Sequence, residues 1–271
     1  MKTQHTKKHQ KNLQQKTKMK TQDKIKFDSF TDHLIELRSR LIRSMVVFVF
    51  FFVLSYYFSE EIYNFLVKPY SDAVSNSDVD RRLIYTALHE TFVAYLKVAF
   101  FTSFFVSSPI ILMEIWKFLA PGLYKNEKRA LLPYLILTPV LFFLGGMLVY
   151  YLIMPLAINF FLSFETSNLN GNLPIQLEAK VNEYLSLIMK LIFAFGLSFQ
   201  LPVVLSLLAR IGFVDSIFLK KRRKYVIVII FIFAAFLTPP DPVTQIGLAL
   251  PLLLLYEISI LLVKMIEKRN A

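Results

Sequence analysis

Residues 131 to 153 read LLPYLILTPVLFFLGGMLVYYLI and carry no charged side chain. A helix needs about 20 predominantly apolar residues to cross the hydrocarbon core of a bilayer, so this stretch is long enough to span a membrane. Five further apolar segments flank it, at roughly 41–58, 91–115, 184–208, 225–237 and 243–263. The chain is 55% hydrophobic, more than is usual for a soluble domain. The pattern predicts an all-α integral membrane protein with six transmembrane helices.

Lysine and arginine are concentrated in alternate loops between these segments, and the formal net charge is +12. The positive stretches are the N-terminal tail and residues 117–129, 210–224 and 264–269. The positive-inside rule then predicts that both termini lie in the cytoplasm. Since orientation in the membrane explains the charge, we expect a lipid bilayer as the environment and no nucleic-acid partner.

The polarity of the chain changes twice, which predicts three parts. Residues 1–29 form a Lys-rich tail without the apolar core of a cleavable signal peptide, and we expect it to be disordered and cytoplasmic. Residues 30–265 form the membrane domain, and residues 266–271 form a short cytoplasmic C-terminus.

Two segments depart from ordinary spans. The fifth is only about 13 residues long, against about 20 for a full span, and the sixth carries Pro251 in its interior. We therefore expect the fifth and sixth helices to be short, with local thinning of the bilayer or a membrane-depth cavity around them. In the first exported loop, Glu60–Val67 predicts a short interfacial helix that Pro69 stops.

The residue inventory argues against catalysis. The chain has no cysteine and four histidines, and none of those histidines lies inside an apolar segment. The zinc motif His-Glu-x-x-His, the Gly-x-Ser-x-Gly elbow and the Walker loop are absent from the sequence, and Asp241 stands alone in a turn. We therefore predict no catalytic residue, no metal site and no cofactor.

Two carboxylates flank the predicted spans at their cytoplasmic ends. Glu36 stands four residues before Arg40, which predicts a surface ion pair on one helix. Glu127 lies among lysines and arginines, where it could simply balance local charge. Alternatively, if the fold brings Glu36 and Glu127 together, they form an anionic pocket suited to guanidinium groups, because carboxylates accept bidentate hydrogen bonds from arginine.

Several stretches, in the same order along the chain, resemble the TatC family, the multi-spanning receptor subunit of the twin-arginine protein translocase. They are Leu34–Leu41, Ser108–Leu112, Phe118–Arg129, Phe195–Pro202, Lys221–Tyr225 and Leu237–Asp241. The resemblance covers roughly Phe30 to Val263. It implies a concave, glove-like bundle of six helices that binds the Arg-Arg signal peptides of folded cargo proteins and is driven by the proton motive force without a nucleotide.

The resemblance also implies roles for individual residues and partners. The residues that would bind the signal peptide are Glu36, Glu127, Phe118, Tyr124, Lys125 and Arg38, and those with structural or partner contacts are Pro69, Pro109, Gln200 and Asp241. The implied partners are single-span subunits of the TatA/TatB type and further TatC copies. Many relatives carry Glu where this chain has Gln200, which argues against proton coupling there and leaves open a partner contact or an ordinary interhelical hydrogen bond.

Other polar residues inside the segments have less specific interpretations. Lys190 could extend toward the exported face, and Glu257 could either hydrogen-bond within the bundle or line a cavity. Gly145 and Gly146 are expected to allow close packing of two helices.

An alternative function stays open at this point. The short final hairpin, Gln200 and Glu257 could line the path of a secondary transporter or channel for a small solute. A receptor is favoured because the matching motifs lie at the cytoplasmic rim, whereas a transporter site is expected near the bilayer midplane. The expected location is the bacterial cytoplasmic membrane or an organelle membrane of bacterial descent.

Overall fold

The structure is a computed structural model that describes residues 34–75, 81–123, 128–166, 175–238 and 241–270. The predicted tail 1–29 lies outside these ranges. The chain divides into two units, residues 1–46 and 47–271, and the packing described below belongs to the second.

Helices account for most of the described chain. They are α1 Leu34–Tyr57, α2 Ser59–Val74, α3 Glu90–Leu123, α4 Lys128–Leu148, α5 Met154–Leu162, α6 Val181–Ser198, α7 Leu201–Arg210, α8 Ser216–Leu237 and α9 Pro242–Asn270. A short π-helix, Val149–Ile153, joins α4 to α5. Within the described residues, β structure is confined to two isolated bridges, Ile84 with Lys180 and Thr166 with Ile175. The prediction of an all-α membrane protein is confirmed.

Four helical stretches are long and apolar enough to cross a membrane, and a fifth is added if the bent pair α1–α2 counts as one span. The four are Glu90–Phe118, Pro133–Leu162, Val181–Arg210 and Pro242–Lys268. Among the described helices, α8 does not qualify, because Lys220–Lys224 occupy its first turns and leave a short apolar remainder. The exact count of six spans therefore stays a prediction.

The prediction that the sixth helix is short was wrong. Helix α9 has 29 residues and continues through Pro251 to Asn270. The apolar pattern ends near Val263, but the helix continues because its polar last turns have a partner. The carboxylate of Glu267 accepts hydrogen bonds from the backbone N–H and the hydroxyl of Ser216, at the start of α8, at 2.6 and 2.5 Å.

The prediction that Pro69 stops the helix of the first exported loop was also wrong. Helix α2 continues past Pro69 to Val74. Proline cannot donate the helical hydrogen bond to the carbonyl four residues earlier, which here is the carbonyl of Phe65. The hydroxyl of Tyr150, in the π-helix, donates to that carbonyl at 2.7 Å and replaces the missing donor.

Helices α4 and α6 approach closely through glycine, as the sequence predicts. A Cβ atom added to Gly145 would lie 2.7 Å from the backbone oxygen of Phe195, and one added to Gly146 would lie 2.7 Å from the ring of Phe105. The buried side chains of Phe142, Ile188 and Phe195 belong to the core beside this contact.

One end of the bundle is covered by residues 81–89, 163–166 and 175–180, and we call it the capped end. Arg81 and Glu165 form an ion pair there at 2.5 Å, with side chains only 13% and 15% exposed. Glu165 also accepts a 2.8 Å hydrogen bond from the backbone N–H of Leu177. Helices α3, α6 and α9 begin at the capped end, and α8 ends there.

Candidate functional site

Glu36 lies in the first turns of α1 and pairs with Arg40. The Nε and Nη2 atoms of Arg40 donate to Oε1 of Glu36 at 3.1 and 2.6 Å. The side chain of Glu36 is 37% exposed, and that of Arg40 is 18% exposed. The predicted ion pair between positions i and i+4 is confirmed, and it shows how a guanidinium group approaches this carboxylate.

The surface around Glu36 is apolar and exposed. Leu34, Leu37 and Leu41 share one stripe of α1, and each is more than 40% exposed. Arg38, on the same helix, is exposed as well. The first turns of α1 thus combine a carboxylate with apolar side chains that are available for contact with another molecule.

The second part of the predicted recognition site is only partly described. Phe118 lies near the end of α3 and is partly buried, next to Lys117, which pairs with Glu114 at 3.1 Å. Tyr124, Lys125 and Glu127 lie outside the described residues. The prediction that Glu36 and Glu127 share one pocket therefore stays a prediction.

Pro109 is buried in the middle of α3, next to Ser107 and Ser108, which are 0% and 4% exposed. Proline at this position cannot donate to the carbonyl of Phe105. The hydroxyl of Ser108 donates to that carbonyl at 2.7 Å. The Ser108 hydroxyl thus satisfies the carbonyl that Pro109 leaves without a helical donor, and α3 stays continuous.

Pro69 is buried in α2 and lines a cavity of about 430 Å³ between α2 and α5. Lys68, Asp72, Tyr151 and Asn159 contribute polar groups to the cavity wall. No local sequence signal marks the tyrosines that hold α2 in place. Besides Tyr150, Tyr184 donates to the carbonyl of Leu66 at 3.0 Å.

Gln200 lies at the break between α6 and α7 and is only 5% exposed. Its Nε2 atom donates to the carbonyl of Thr138 on α4 at 2.9 Å, so the interhelical hydrogen bond considered from the sequence is present. Its Oε1 atom is buried and accepts no hydrogen bond among the described residues. The Thr138 hydroxyl is also buried and has no hydrogen-bond partner among them. The helix break therefore carries a buried acceptor without a donor.

Asp241 is 5% exposed and precedes α9. Its carboxylate accepts from the backbone N–H of Thr244 at 2.7 Å and from the Thr244 hydroxyl. This is the geometry of a helix N-cap, in which the side chain satisfies a backbone donor of the first turn. Asp241 also lines a cavity of about 470 Å³ with Phe164 and Glu165 at the capped end.

The other polar residues of the spans have different surroundings. Glu257 of α9 pairs with Arg223 of α8 at 2.6 Å, and both side chains are about half exposed. The interpretation of Glu257 as a hydrogen-bonding residue is the one that the structure supports. Lys190 is exposed on α6.

The described residues hold no group of three His, Cys, Asp or Glu side chains suited to a metal ion.

Comparison with known proteins decides the family. Residues 32–251 match the sequence family described as Sec-independent protein translocase protein (TatC). The chain belongs to the TatC family. It is 48% identical to the TatC of Magnetococcus marinus over 89% of this chain and 85% of that protein. It is 46% identical to the TatC of Rickettsia prowazekii over 90% of this chain and 95% of that protein.

A solved structure of the twin-arginine translocase receptor TatC is also similar. It superposes with a TM-score of 0.74 at 36% identity and covers 87% of this chain and 99% of that chain. The resemblance seen in the sequence motifs is thus confirmed for family and helical fold.

Proposed function

We propose that this chain is the receptor subunit of a twin-arginine translocase, which binds the Arg-Arg signal peptides of folded proteins. The observation that carries the proposal is its similarity to a solved twin-arginine translocase receptor over 87% of the chain. Recognition and assembly need no chemistry from the protein itself, so we propose no enzymatic activity. The proton motive force would supply the energy, without a nucleotide.

The orientation that fits this role places residues 1–29 and 266–271 in the cytoplasm and the capped end on the exported side. Positive loops at the end opposite the cap support this orientation. The membrane domain 30–265 would then lie in a bacterial cytoplasmic membrane or a membrane of bacterial descent. It would assemble there with single-span TatA/TatB-type subunits and further TatC copies.

The chemistry at Glu36 suits an arginine ligand. A carboxylate can bind guanidinium through two parallel, charge-assisted hydrogen bonds, and Arg40 already donates two hydrogen bonds to a single oxygen of Glu36, Oε1. The exposed leucines of α1 would contact apolar parts of the peptide. We propose that Glu127 supplies the second carboxylate, that Phe118, Tyr124 and Lys125 shape the same patch, and that Arg38 orders the start of α1.

The remaining proposed positions serve the scaffold and partner subunits. Asp241 caps α9 through the hydrogen bonds described above, the Ser108 hydroxyl compensates for Pro109 in α3, and Pro69 shapes the exported face of α2. Gln200 offers a buried acceptor at the break between α6 and α7. This atom is shielded in the structure, so we propose that the helices around the break separate when a polar donor on a partner helix engages it, because unsatisfied polar groups at membrane depth are costly.

Site-specific photo-crosslinking in membranes tests the receptor function. A photoreactive residue replaces Leu37, beside Glu36, and labelled signal peptides carry either Arg-Arg or Lys-Lys. Lysine keeps the positive charge but lacks the bidentate fork, so the expected result is strong crosslinking to the Arg-Arg peptide alone. Glu36→Gln and Glu127→Ala should each abolish it.

The matched control places the same photoreactive residue at Phe236, which is 82% exposed near the capped end of α8. This position should not crosslink to either peptide. Equal crosslinking of both peptides at Leu37, or crosslinking that survives both glutamate substitutions, would contradict the proposal and direct the search to transport of a small solute.

A further inference from the structure

Two lysines stand inside the membrane spans, and both are exposed. Lys97 lies seven residues after the start of α3, and Lys190 lies nine residues after the start of α6. At about 1.5 Å per residue, these positions are about 10 and 14 Å from the helix starts at the capped end. A cation at this depth is costly unless it reaches a counter-charge.

The two lysines belong to one surface of the bundle. Lys97 Nζ donates to Oδ1 of Asn182, on α6, at 2.6 Å. Farther along the same two helices, the rings of Phe104 and Phe193 meet at 5.1 Å, so α3 and α6 run side by side in the same direction.

The α6 side of this surface is a polar stripe. Asn182, Ser186 and Lys190 follow one another at intervals of four residues, which places them along one face of the helix. We call the surface formed by Lys97, Asn182, Ser186 and Lys190 the lysine stripe.

Carboxylates near the stripe already have other partners. Glu90 accepts hydrogen bonds from the backbone N–H groups of Thr86 and Ala87 at 2.7 and 3.3 Å. Glu183 pairs with Lys180 at 3.7 Å. Among the described residues, the hydrogen-bond partner of Lys97 is a neutral amide, and no ion pair joins Lys190 to a carboxylate. The stripe thus presents two ammonium groups without an ion-pair partner among the described residues, and Glu90, which also lies beside Asn182, borders it at the capped end.

We propose that the lysine stripe binds the phosphate of an anionic phospholipid, independently of signal-peptide recognition. The flexible stem of Lys190 can extend about one helical turn, or about 5.4 Å, toward the capped end. Its ammonium group then reaches the level of Ser186, one turn from Asn182, where Lys97 Nζ already lies. A phosphate between the two ammonium groups would also accept a hydrogen bond from the Ser186 hydroxyl.

The surroundings favour a lipid over a free anion. Below the lysines, toward the middle of the spans, apolar side chains continue the surface. Leu197 is 44% exposed, and Phe100 and Phe104 keep 56% and 36% of their surface exposed while their rings pack against Phe48 of α1. A phospholipid matches this sequence of groups, because its headgroup meets the cations while its acyl chains cover the apolar side chains. Inorganic phosphate has no counterpart for the apolar part.

Fluorescence quenching by brominated lipids tests the proposal on the full chain. The protein has one tryptophan, so Trp116→Phe removes the native signal. A new tryptophan is then placed either beside the stripe, by Phe100→Trp, or at a control position, by Phe236→Trp. Phe236 is exposed near the capped end, and no lysine or arginine lies between Tyr225 and Val263.

Each protein is reconstituted into phosphatidylcholine vesicles containing a minor fraction of brominated phosphatidylglycerol. Because one lysine near a membrane surface strengthens anionic lipid binding about fivefold, quenching at position 100 should report at least fivefold local enrichment over position 236. Lys97→Met and Lys190→Met should each reduce that enrichment about fivefold. The enrichment should persist in excess inorganic phosphate.

Equal quenching at positions 100 and 236, or enrichment that both lysine variants retain, would overturn the proposal. Loss of enrichment in inorganic phosphate would also overturn it, by assigning the stripe to a free anion. Enrichment in pure vesicles that disappears only when a partner subunit is added would support the lipid site and show that the subunit competes with lipid for it.

Discussion

The Tyr150 hydroxyl donates a 2.7 Å hydrogen bond to the carbonyl of Phe65, the one carbonyl in α2 that Pro69 deprives of its helical donor. The two aromatic rings also stack at 4.4 Å with an angle of 3° between their planes. Tyr150 lies in the π-helix between α4 and α5, so this contact fixes α2 against the span Pro133–Leu162. A side chain from another helix thus permits proline inside α2.

Tyr150→Phe should destabilise the protein by about 1 kcal/mol, because the Phe65 carbonyl loses its donor while ring stacking is kept. Thermal unfolding of the purified protein in detergent measures the effect. Tyr151→Phe is the matched control, since Tyr151 is 69% exposed and its loss of a hydroxyl should change little.

A second substitution separates this explanation from general loss of packing. Pro69→Ala supplies a backbone N–H that can donate to the Phe65 carbonyl, so Tyr150→Phe should cost much less in the Pro69→Ala background. Equal costs of Tyr150→Phe in both backgrounds would show that the hydroxyl does not replace the missing donor.

Substitutions of Arg40 and of Glu36 should have unequal effects on signal-peptide affinity. An ion pair between positions i and i+4 on a helix contributes only about 0.2–0.5 kcal/mol, so an incoming arginine can compete with Arg40 for Glu36. Arg40→Gln should therefore change the Kd for an Arg-Arg peptide by less than about threefold, whereas Glu36→Gln should weaken it at least tenfold. Peptide titration of the reconstituted protein measures both values, and a larger effect from Arg40→Gln would contradict the assignment of Glu36 as the ligand-binding group.

The helices followed from the sequence because apolar segments of sufficient length dictate them, but their ends depended on contacts between distant residues. The local sequence predicts that Pro69 ends α2, because the donor that allows continuation, Tyr150, stands far away in the chain. The last turns of α9 appeared to be a polar terminus, although Glu267 accepts hydrogen bonds from Ser216 there. Neither tertiary hydrogen bond has a local sequence signal.

The proposed recognition residues were accessible from the sequence in part, through the motif around Glu36 and its spacing to Arg40. The hydrogen bond between Lys97 and Asn182 was not, because it requires the register of α3 against α6. The orphan Oε1 of Gln200 could be suspected from a polar residue at membrane depth, but only the packed helices show that Nε2 has a partner and Oε1 has none among the described residues.

The substitution Gln200→Leu should impair partner binding and export while leaving the stability of the isolated subunit nearly unchanged. Gln200→Leu removes one hydrogen bond to the Thr138 carbonyl together with the unsatisfied Oε1, and these changes oppose each other. The free energy of unfolding of the isolated subunit should therefore change by less than about 1 kcal/mol, while copurification with the single-span partners and export of cargo should fall. Thermal unfolding and copurification are measured on the same preparations. Full partner binding by Gln200→Leu would contradict the proposed contact.

The Arg81–Glu165 pair should stabilise the capped end. Both side chains are largely buried, so Glu165→Gln leaves Arg81 without a counter-charge and should cost about 2 kcal/mol, less than a fully buried pair. The double variant Arg81→Gln with Glu165→Gln should cost less than the sum of the single variants. Arg82→Gln is the control, because Arg82 is exposed beside Arg81 and should change unfolding by less than about 0.5 kcal/mol. Additive costs would show that the pair contributes no coupling.

Two glycines should respond oppositely to alanine, although both lie inside membrane helices. A Cβ at Gly145 would lie 2.7 Å from the backbone oxygen of Phe195, which cannot move without shifting α6, so Gly145→Ala should destabilise by about 1–3 kcal/mol.

A Cβ at Gly247 would meet only Ile153 Cδ1, at 3.6 Å, an ordinary van der Waals contact. Gly247→Ala should therefore be neutral or should stabilise α9 by up to about 1 kcal/mol, because alanine loses less backbone entropy in a helix than glycine. Thermal unfolding of both variants in one detergent makes the comparison. Similar losses at both positions would indicate that glycine serves helix flexibility and not the close approach of α4 to α6.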